Sequence, residues 1–325
     1  MTTQTFITVI MGVIAQQMRE DSRVLYMSTE PPTELIDEFG PVRVRRAPIA
    51  ESAMVGMATG LAGSGYRPIV GLNNVAFHFV AFDQIINQTA RIRYMSGGQR
   101  RFPMVLFSYY SNGTRTASQH SQTGFAYYAH AGGLKVVSPT TVADAAGLMQ
   151  SAIRDDNPVV FLYPRRVDTE EEDVPAVIEP VQLGPARIER HGTDVTVVGV
   201  GTIAREARPA ADALSADGIS CEVIEIRTIV PLDMVAIRKS VLRTGRLIIL
   251  DESFPTCSIA AEIAASIAED GECLSALKAP IQRVCTAPVP VPFSGPLEDV
   301  VLPDRDDLIA AVKKTLDTPL AAARD

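Results

Sequence analysis

Residues 51–72 read ESAMVGMATGLAGSGYRPIVGL. The first thirteen, Glu51–Gly63, are rich in Ala, Gly and Met and predict a helix, and Pro68–Leu72 after the turn predict a short apolar strand. On the N-terminal side, Val24–Met27 (VLYM) predicts another strand, preceded by a helix over Phe6–Glu20 with Thr5 as its N-cap. On the C-terminal side a helix over Phe82–Tyr94 leads through MSGGQ to a strand at Met104–Ser108 and then to the polar loop SNGTRTASQHSQTG. Leu134–Ser138 and Val159–Tyr163 are further strands, with a helix over Ala143–Arg154 between them. Continuous apolar strands alternating with helices predict a parallel α/β sheet covered on both faces.

The pattern breaks at TEEEDVPAVIEP (169–180), which is acidic and proline-bearing, and then restarts. Strands are expected at Asp194–Val200, Cys221–Ile226, Arg246–Leu250 and Pro280–Val284. Helices are expected at Ile203–Ala216, Met234–Leu242, Ile259–Glu269 and Asp306–Leu316, with APVPVPFSGPLED (287–299) as a loop. The expectation is two consecutive parallel-sheet α/β domains: residues 1–170, a linker over 171–185, and residues 186–325.

Composition narrows the function. The chain has 325 residues, 46% hydrophobic and 21% charged, which fits a folded globular protein rather than a disordered one. Its net charge of −8 is uneven: residues 1–170 carry 15 basic and 13 acidic side chains, whereas residues 171–325 carry 15 and 25. The acidic half would repel a phosphate backbone, so nucleic-acid binding is not expected. Four cysteines without CxxC spacing and four histidines give little support to a zinc site, and point to a reducing compartment. The apolar stretch Phe6–Ala15 lacks a basic segment before it and does not read as a signal peptide; no run reaches the length of a membrane span, and a cytoplasmic location is expected.

No P-loop, GxGxxG, GxSxG or HExxH is present. Four places invite a chemical reading beside an ordinary one. Glu51 opens a helix, where a carboxylate complements the helix dipole, yet the apolar residues after it suit a buried proton-transfer group. Phe77, Phe79 and Phe82 surround His78 and are an aromatic cluster that core packing alone would explain. His120 sits within Ser118–Gln122, where neighbouring hydrogen-bonding side chains could orient an imidazole or merely be solvated. The stretch AIRDDNP (152–158) is a helix stop whose clustered carbonyls could also hold a cation.

The order of the segments then becomes recognisable. In sequence they are APIAESAMVGMATGLAGSGYRPI (47–69), FDQIINQTARIRYMSGGQ (82–99), SQHSQTGFAYYAHAGGLKVVSPTT (118–141) and DAAGLMQSAIRDDNPVVFL (144–162). GTDVTVVGVGTIAREA (192–207), EVIEIRTIVPLD (222–233) and VPVPFSGPLE (289–298) follow. Over nearly its whole length the chain resembles the beta subunit of the thiamine-diphosphate-dependent 2-oxo acid dehydrogenase decarboxylating component, pyruvate and branched-chain types included. The resemblance implies a transketolase-like pyrimidine-binding domain followed by a transketolase C-terminal-like domain.

It also implies roles. Glu51 would hydrogen-bond the cofactor's pyrimidine nitrogen opposite the amino group, favouring the imino tautomer that takes the thiazolium C2 proton. Phe77 would stack on the pyrimidine, and His120 would face the substrate and assist reductive acyl transfer to a lipoyl group. Met104, Ala152, Ile153, Asp155 and Asn157 fall where main-chain carbonyls hold a potassium-like ion in some members. The family grips the diphosphate and Mg2+ with a GDG…N motif in its alpha subunit, and this chain has no GDG. Half an active site, completed by an alpha subunit in an α2β2 heterotetramer, is therefore expected, with a lipoyl-bearing acyltransferase as a further partner.

The chain also departs from the family pattern. Ser28-Thr29-Glu30 stands where GE(D/E) is usual, Pro31–Ala50 is shortened by about nine residues, and Thr256-Cys257-Ser258 replaces helix-start glycines. Tyr109-Tyr110 occupies a position more often glycine-rich. These changes gather at the expected substrate entrance, and leave two alternatives standing: a freestanding biosynthetic decarboxylase or carboligase subunit, and a regulatory paralogue without catalysis. Retention of Glu51, Phe77 and His120 together argues against the second.

Overall fold

The computed structural model describes residues 2–174, 177–318 and 320. The chain divides into two compact units, Met1–Thr114 with Tyr127–Leu183, and Arg115–Ala126 with Gly184–Asp325.

The first unit runs β1 (Thr2–Thr5), α1 (Phe6–Glu20), β2 (Val24–Ser28), α2 (Thr33–Arg43), β3 (Val44–Arg46), α3 (Glu51–Gly63) and β4 (Arg67–Asn74). It continues through α4 (Ile92–Met95), β5 (Met104–Tyr110), α5 (Phe125–Ala129), β6 (Lys135–Val137), α6 (Val142–Arg154), β7 (Pro158–Pro164) and β8 (Glu171–Val174). Within the unit the strands lie in the order β6-β7-β5-β4-β2-β3, each parallel to its neighbour. On one face Ile69, Val105, Phe107, Val159 and Phe161 meet Phe6, Ile10 and Ile14 of α1 and Leu148 and Met149 of α6 in one buried cluster. The alternate residues Val70, Leu106 and Val160 are equally buried, and α3 covers that side, with Thr59 Oγ1 3.9 Å from the Met104 sulfur. Burial on both faces explains why these strands are apolar throughout rather than alternating.

Several local outcomes differ from the sequence reading or were not read from it. Phe82–Tyr94 is not one α-helix: a 3-10 turn at Val75–Ala81 is followed by a π-helix at Gln84–Thr89 and only then by α4. The wider turn brings the buried Thr89 hydroxyl 2.6 Å from that of Thr59 on α3, a polar pair that an aliphatic pattern does not reveal. The shortened segment, for which no element was expected, forms α2 in its first part, interrupted by Gly40 at φ +73 and by Pro41. Residues 171–174, read as linker, form β8 antiparallel to β1, with Thr3 donating to Asp173 at 3.0 Å. Thr5 does cap α1, its hydroxyl oxygen accepting from the Thr8 N–H.

The second unit contains β9 (Arg187–Arg190), β10 (Val195–Val200), α7 (Ala207–Ala216), β11 (Cys221–Ile226), β12 (Thr228–Val230), α8 (Met234–Thr244) and β13 (Leu247–Asp251). After these come α9 (Ile259–Glu269), α10 (Gly271–Ala276), β14 (Gln282–Cys285), α11 (Gly295–Val301) and α12 (Arg305–Asp317). Its sheet has the order β14-β13-β10-β11-β9, parallel except for β9, which runs antiparallel to β11. Val195, Val197, Val223, Ile248 and Leu250 pack with Ala207, Ala211 and Leu214 of α7 and Leu308 and Val312 of α12. Two further differences lie here: the helix expected over Ile203–Ala216 begins as a 3-10 turn at Thr202–Glu206, and the proline-rich loop holds a helix. APVPVPFSGPLED is not all loop, because Ser294 and Pro296 start α11 and place Glu298 in its first turn.

Candidate active site

In an open parallel sheet the loops at the carboxyl ends of the strands are where ligands gather, because helix N-termini converge there. Glu51 and Phe77 lie on that edge of the first unit. The chain leaves β3 and enters α3 at Glu51, and it leaves β4 directly into the 3-10 turn that carries Phe77.

Glu51 is the first residue of α3, and its N-cap, Ala50, offers no side-chain acceptor. The side chain is only 9% exposed, and no hydrogen bond or ion pair to it exists among the described residues. With so little of the residue exposed and no protein donor, the carboxylate is left to bond to solvent or to a ligand. The adjacent Ser52 hydroxyl donates to the Val80 carbonyl at 2.6 Å, tying the first turn of α3 to the Phe77 turn.

That turn is fastened at two more points. The Asn74 side chain accepts from the Ala76 N–H at 2.8 Å and donates to Ser111 Oγ at 2.9 Å, with Asn74 and Ser111 both buried. His78 Nε2 lies 2.5 Å from Ser108 Oγ on β5, and the Tyr128 ring packs against the imidazole edge-on at 5.7 Å. Complete burial pushes the His78 pKa down to about 3, so this imidazole is neutral and structural. Phe77 itself is half-buried, whereas Phe79 packs edge-on against Tyr127 at 5.1 Å and leans on Phe82 at 6.0 Å. Phe79 and Phe82 thus form an aromatic group with Tyr127, and Phe77 lies in the same 3-10 turn as Phe79.

His120 belongs to the second unit, in the inserted segment Arg115–Ala126, and is half-buried. Its N–H and that of Ser121 both donate to the Ala117 carbonyl, at 3.1 and 3.0 Å. Ser118 Oγ donates to the Val291 carbonyl at 2.8 Å, and Thr123 Oγ1 lies 2.8 Å from Ser253 Oγ.

The cation candidates lie at the opposite, amino-terminal edge of the first sheet. Met104 opens β5 opposite Pro158, the first residue of β7. Ala152 and Ile153 end α6, and Asp155 and Asn157 lead into β7. Here Arg67 Nη1 donates to the carbonyls of Ile153 (3.1 Å) and Asp155 (2.9 Å), and Nη2 to Asp156 Oδ1 (2.7 Å). Lys135 pairs with Asp155, and Arg93 donates to the Asn157 side chain. Burial works to raise the Asp155 pKa, but hydrogen bonds from Lys135 and Asn157 outweigh it and hold the carboxyl below the usual range. Two of the five carbonyls are therefore already bonded to a guanidinium. Among the described residues no group of three or more His, Cys, Asp or Glu could hold a metal ion, and no helix is long and apolar enough to cross a membrane.

Residues 3–167 match the transketolase pyrimidine-binding domain and residues 184–308 the transketolase C-terminal domain. A split-gene transketolase, described as an inactive beta4 tetramer, has the same fold with a TM-score of 0.81 at 20% identity, covering 97% of this chain and 99% of its own. These matches define a chain of the transketolase-like, thiamine-diphosphate-dependent class. The chain is 44% identical over 280 residues to the pyruvate dehydrogenase E1 component subunit beta of Rickettsia felis, covering 86% of this chain and 85% of the relative. It is 42% identical over 274 residues to the acetoin:2,6-dichlorophenolindophenol oxidoreductase subunit beta of Cupriavidus necator, covering 84% and 80%. It belongs to the family of beta subunits of thiamine-diphosphate-dependent 2-oxo acid dehydrogenases, which work with an alpha subunit.

Sequence reading missed Asn74, Ser108 and Ser111 as the fasteners of the Phe77 turn, and Arg67 as the hub of the opposite edge. Asn at a strand end before a turn is a recognisable Asx signal, but nothing local marks its partner 37 residues away.

Proposed function

We propose that this chain provides the pyrimidine side of the active site in a heteromeric enzyme that decarboxylates a 2-oxo acid and passes the acyl or hydroxyalkyl group to an acceptor such as lipoyl. The observation that carries the reading is Glu51: buried, at a helix start, without a hydrogen-bond donor among the described residues. Bound thiamine diphosphate would supply the electron sink that lets the 2-oxo acid lose carbon dioxide. Glu51 would hold a proton at the pyrimidine nitrogen, and Phe77 would orient the ring by stacking. His120 would act when the acyl group forms a thioester with one lipoyl sulfur, giving a proton to the other sulfur as it leaves as thiolate, a task suited to an imidazole near neutral pH.

The diphosphate and its Mg2+ would be held by the alpha subunit, in an α2β2 assembly in the cytoplasm. Exposed apolar side chains on and around α3, the 3-10 turn and α4 support burial against a partner: Ile49, Met57, Val80, Tyr94 and Met95, with Tyr94 90% exposed. At the amino-terminal edge Arg67 already occupies the carbonyls of Ile153 and Asp155, so the potassium ion held there in some members is not part of this proposal. The nearly equal identity to pyruvate and acetoin relatives favours a second substrate reading, cleavage of a 2-hydroxy ketone with the same acceptor chemistry.

Assembly tests the proposal. Calorimetry should show weak or no thiamine diphosphate binding to this chain alone, and tight, Mg2+-dependent binding once an alpha chain with GDG…N is added. The mixture should then reduce an artificial electron acceptor when given pyruvate or, on the second reading, acetoin. Tight Mg2+-dependent binding by the isolated chain would refute the split site.

A further inference from the structure

The geometry points to Arg115 and Glu298 as a positioning pair for His120. The inference rests on the role proposed for His120 above and concerns a contact which that role does not use.

Glu298, in the first turn of α11, is completely buried. One of its oxygens, Oε2, accepts both the Arg115 backbone N–H at 3.0 Å and Arg115 Nη1 at 2.9 Å. Nη1 also donates to the Gly295 carbonyl at 2.8 Å, and Nη2 donates to Asp299 Oδ1 at 2.6 Å. A single residue is thus held by its main chain and its side chain on the same carboxylate, which fixes its direction as well as its place. The backbone conformation calls for such a hold. Arg115 (φ +60) and Ala117 (φ +64) both adopt the left-handed conformation, which non-glycine residues keep only where their surroundings impose it.

Ala117 transmits the geometry, because its carbonyl accepts the N–H groups of His120 and Ser121. His120 therefore stands on a strained turn that Arg115 holds from one side, with Ser118 on Val291 and Thr123 beside Ser253 fixing the remainder. Strained backbone at a chemically competent side chain is a recurrent means of holding it in one orientation. Arg115 touches none of the atoms proposed to react, and its effect would pass through His120.

The test uses the enzyme assembled with its alpha subunit and compares two half-reactions. Arg115→Ala should lower acyl transfer to a lipoyl domain at least tenfold in kcat with KM little changed, and leave dye-coupled decarboxylation within about threefold. In a His120→Ala background Arg115→Ala should cause no further loss of transfer, since both act through one imidazole. Should Arg115→Ala fail to fold, Glu298→Gln, which keeps the shape, should show the same pattern more weakly. An independent readout is the carbethoxylation rate of His120, followed by peptide mass spectrometry with the exposed His191 as internal control; it should change severalfold in the variant. Equal losses in both half-reactions, additive losses in the double variant, or an unchanged His120 rate would overturn the pairing. A wild type that transfers nothing to lipoyl would refute the acceptor reading, and the His120 rate alone would then decide the placement.

Discussion

The two edges of the first sheet handle buried charge in opposite ways. At the amino-terminal edge, Arg67, Lys135, Asp155, Asp156 and Asn157 bond to one another until each carboxylate has a cationic partner. At the carboxyl-terminal edge, Glu51 is 9% exposed and has no hydrogen bond or ion pair to any described neighbour. The same strands connect the two edges. Mutual satisfaction suits a structural corner, and an unpartnered carboxylate suits the ligand-side role proposed for Glu51.

Substitutions at the two edges should therefore separate activity from stability. In the assembled enzyme Glu51→Gln should lower decarboxylation by about 10²–10⁴-fold, well beyond any change in cofactor affinity, while the melting temperature changes little because no described side chain bonds to the carboxylate. Activity within a few-fold of wild type would end the proposed role. Arg67→Met should do the reverse. Removing the donor to two carbonyls and Asp156 should cost about 2–3 kcal/mol of stability in denaturant titration, with turnover per folded enzyme within twofold. With Arg67 in place, exchanging potassium chloride for choline chloride should move the melting temperature by less than about 2 °C. A larger shift would show that a bound cation shares this edge.

The smallest effect concerns the turn beneath Phe77. His78 has a folded pKa of about 3 against 6.5 in its unperturbed state, so below pH 6.5 the unfolded chain binds the extra proton. Its contribution to stability is complete above pH 6.5 and is lost as the pH falls from there toward 3. Between pH 7 and pH 5 the loss should be about 2 kcal/mol, and His78→Gln, whose amide can still reach Ser108, should flatten that part of the profile. An unaltered profile would mean that His78 is not the group responsible.

Much of this architecture was legible because parallel strands buried on both faces leave an unbroken apolar signature, as in Val159–Tyr163. Where a strand lies at an edge or pairs antiparallel, the signature disappears: β9 reads RIER, and β8 is acidic enough to pass for a linker. The π-helix went unseen because its purpose, the Thr59–Thr89 contact, is tertiary. At the site, the position of Glu51 was legible and its isolation was not, since the absence of a partner is a property of the whole packing. The Arg115–Glu298 contact joins residues 183 positions apart, and no local pattern announces such a pairing.

That separation has a kinetic consequence. At about 5–20 residues per second, Glu298 leaves the ribosome roughly 10–40 seconds after Arg115. Throughout that interval the segment Arg115–Ala126 has been synthesised but the unit to which it belongs has not. Its left-handed turn lacks the Glu298 contact until α11 emerges. The first unit can collapse early around its own sheet, whereas the loop bearing His120 waits for a stretch of chain made much later before its Arg115 anchor can form.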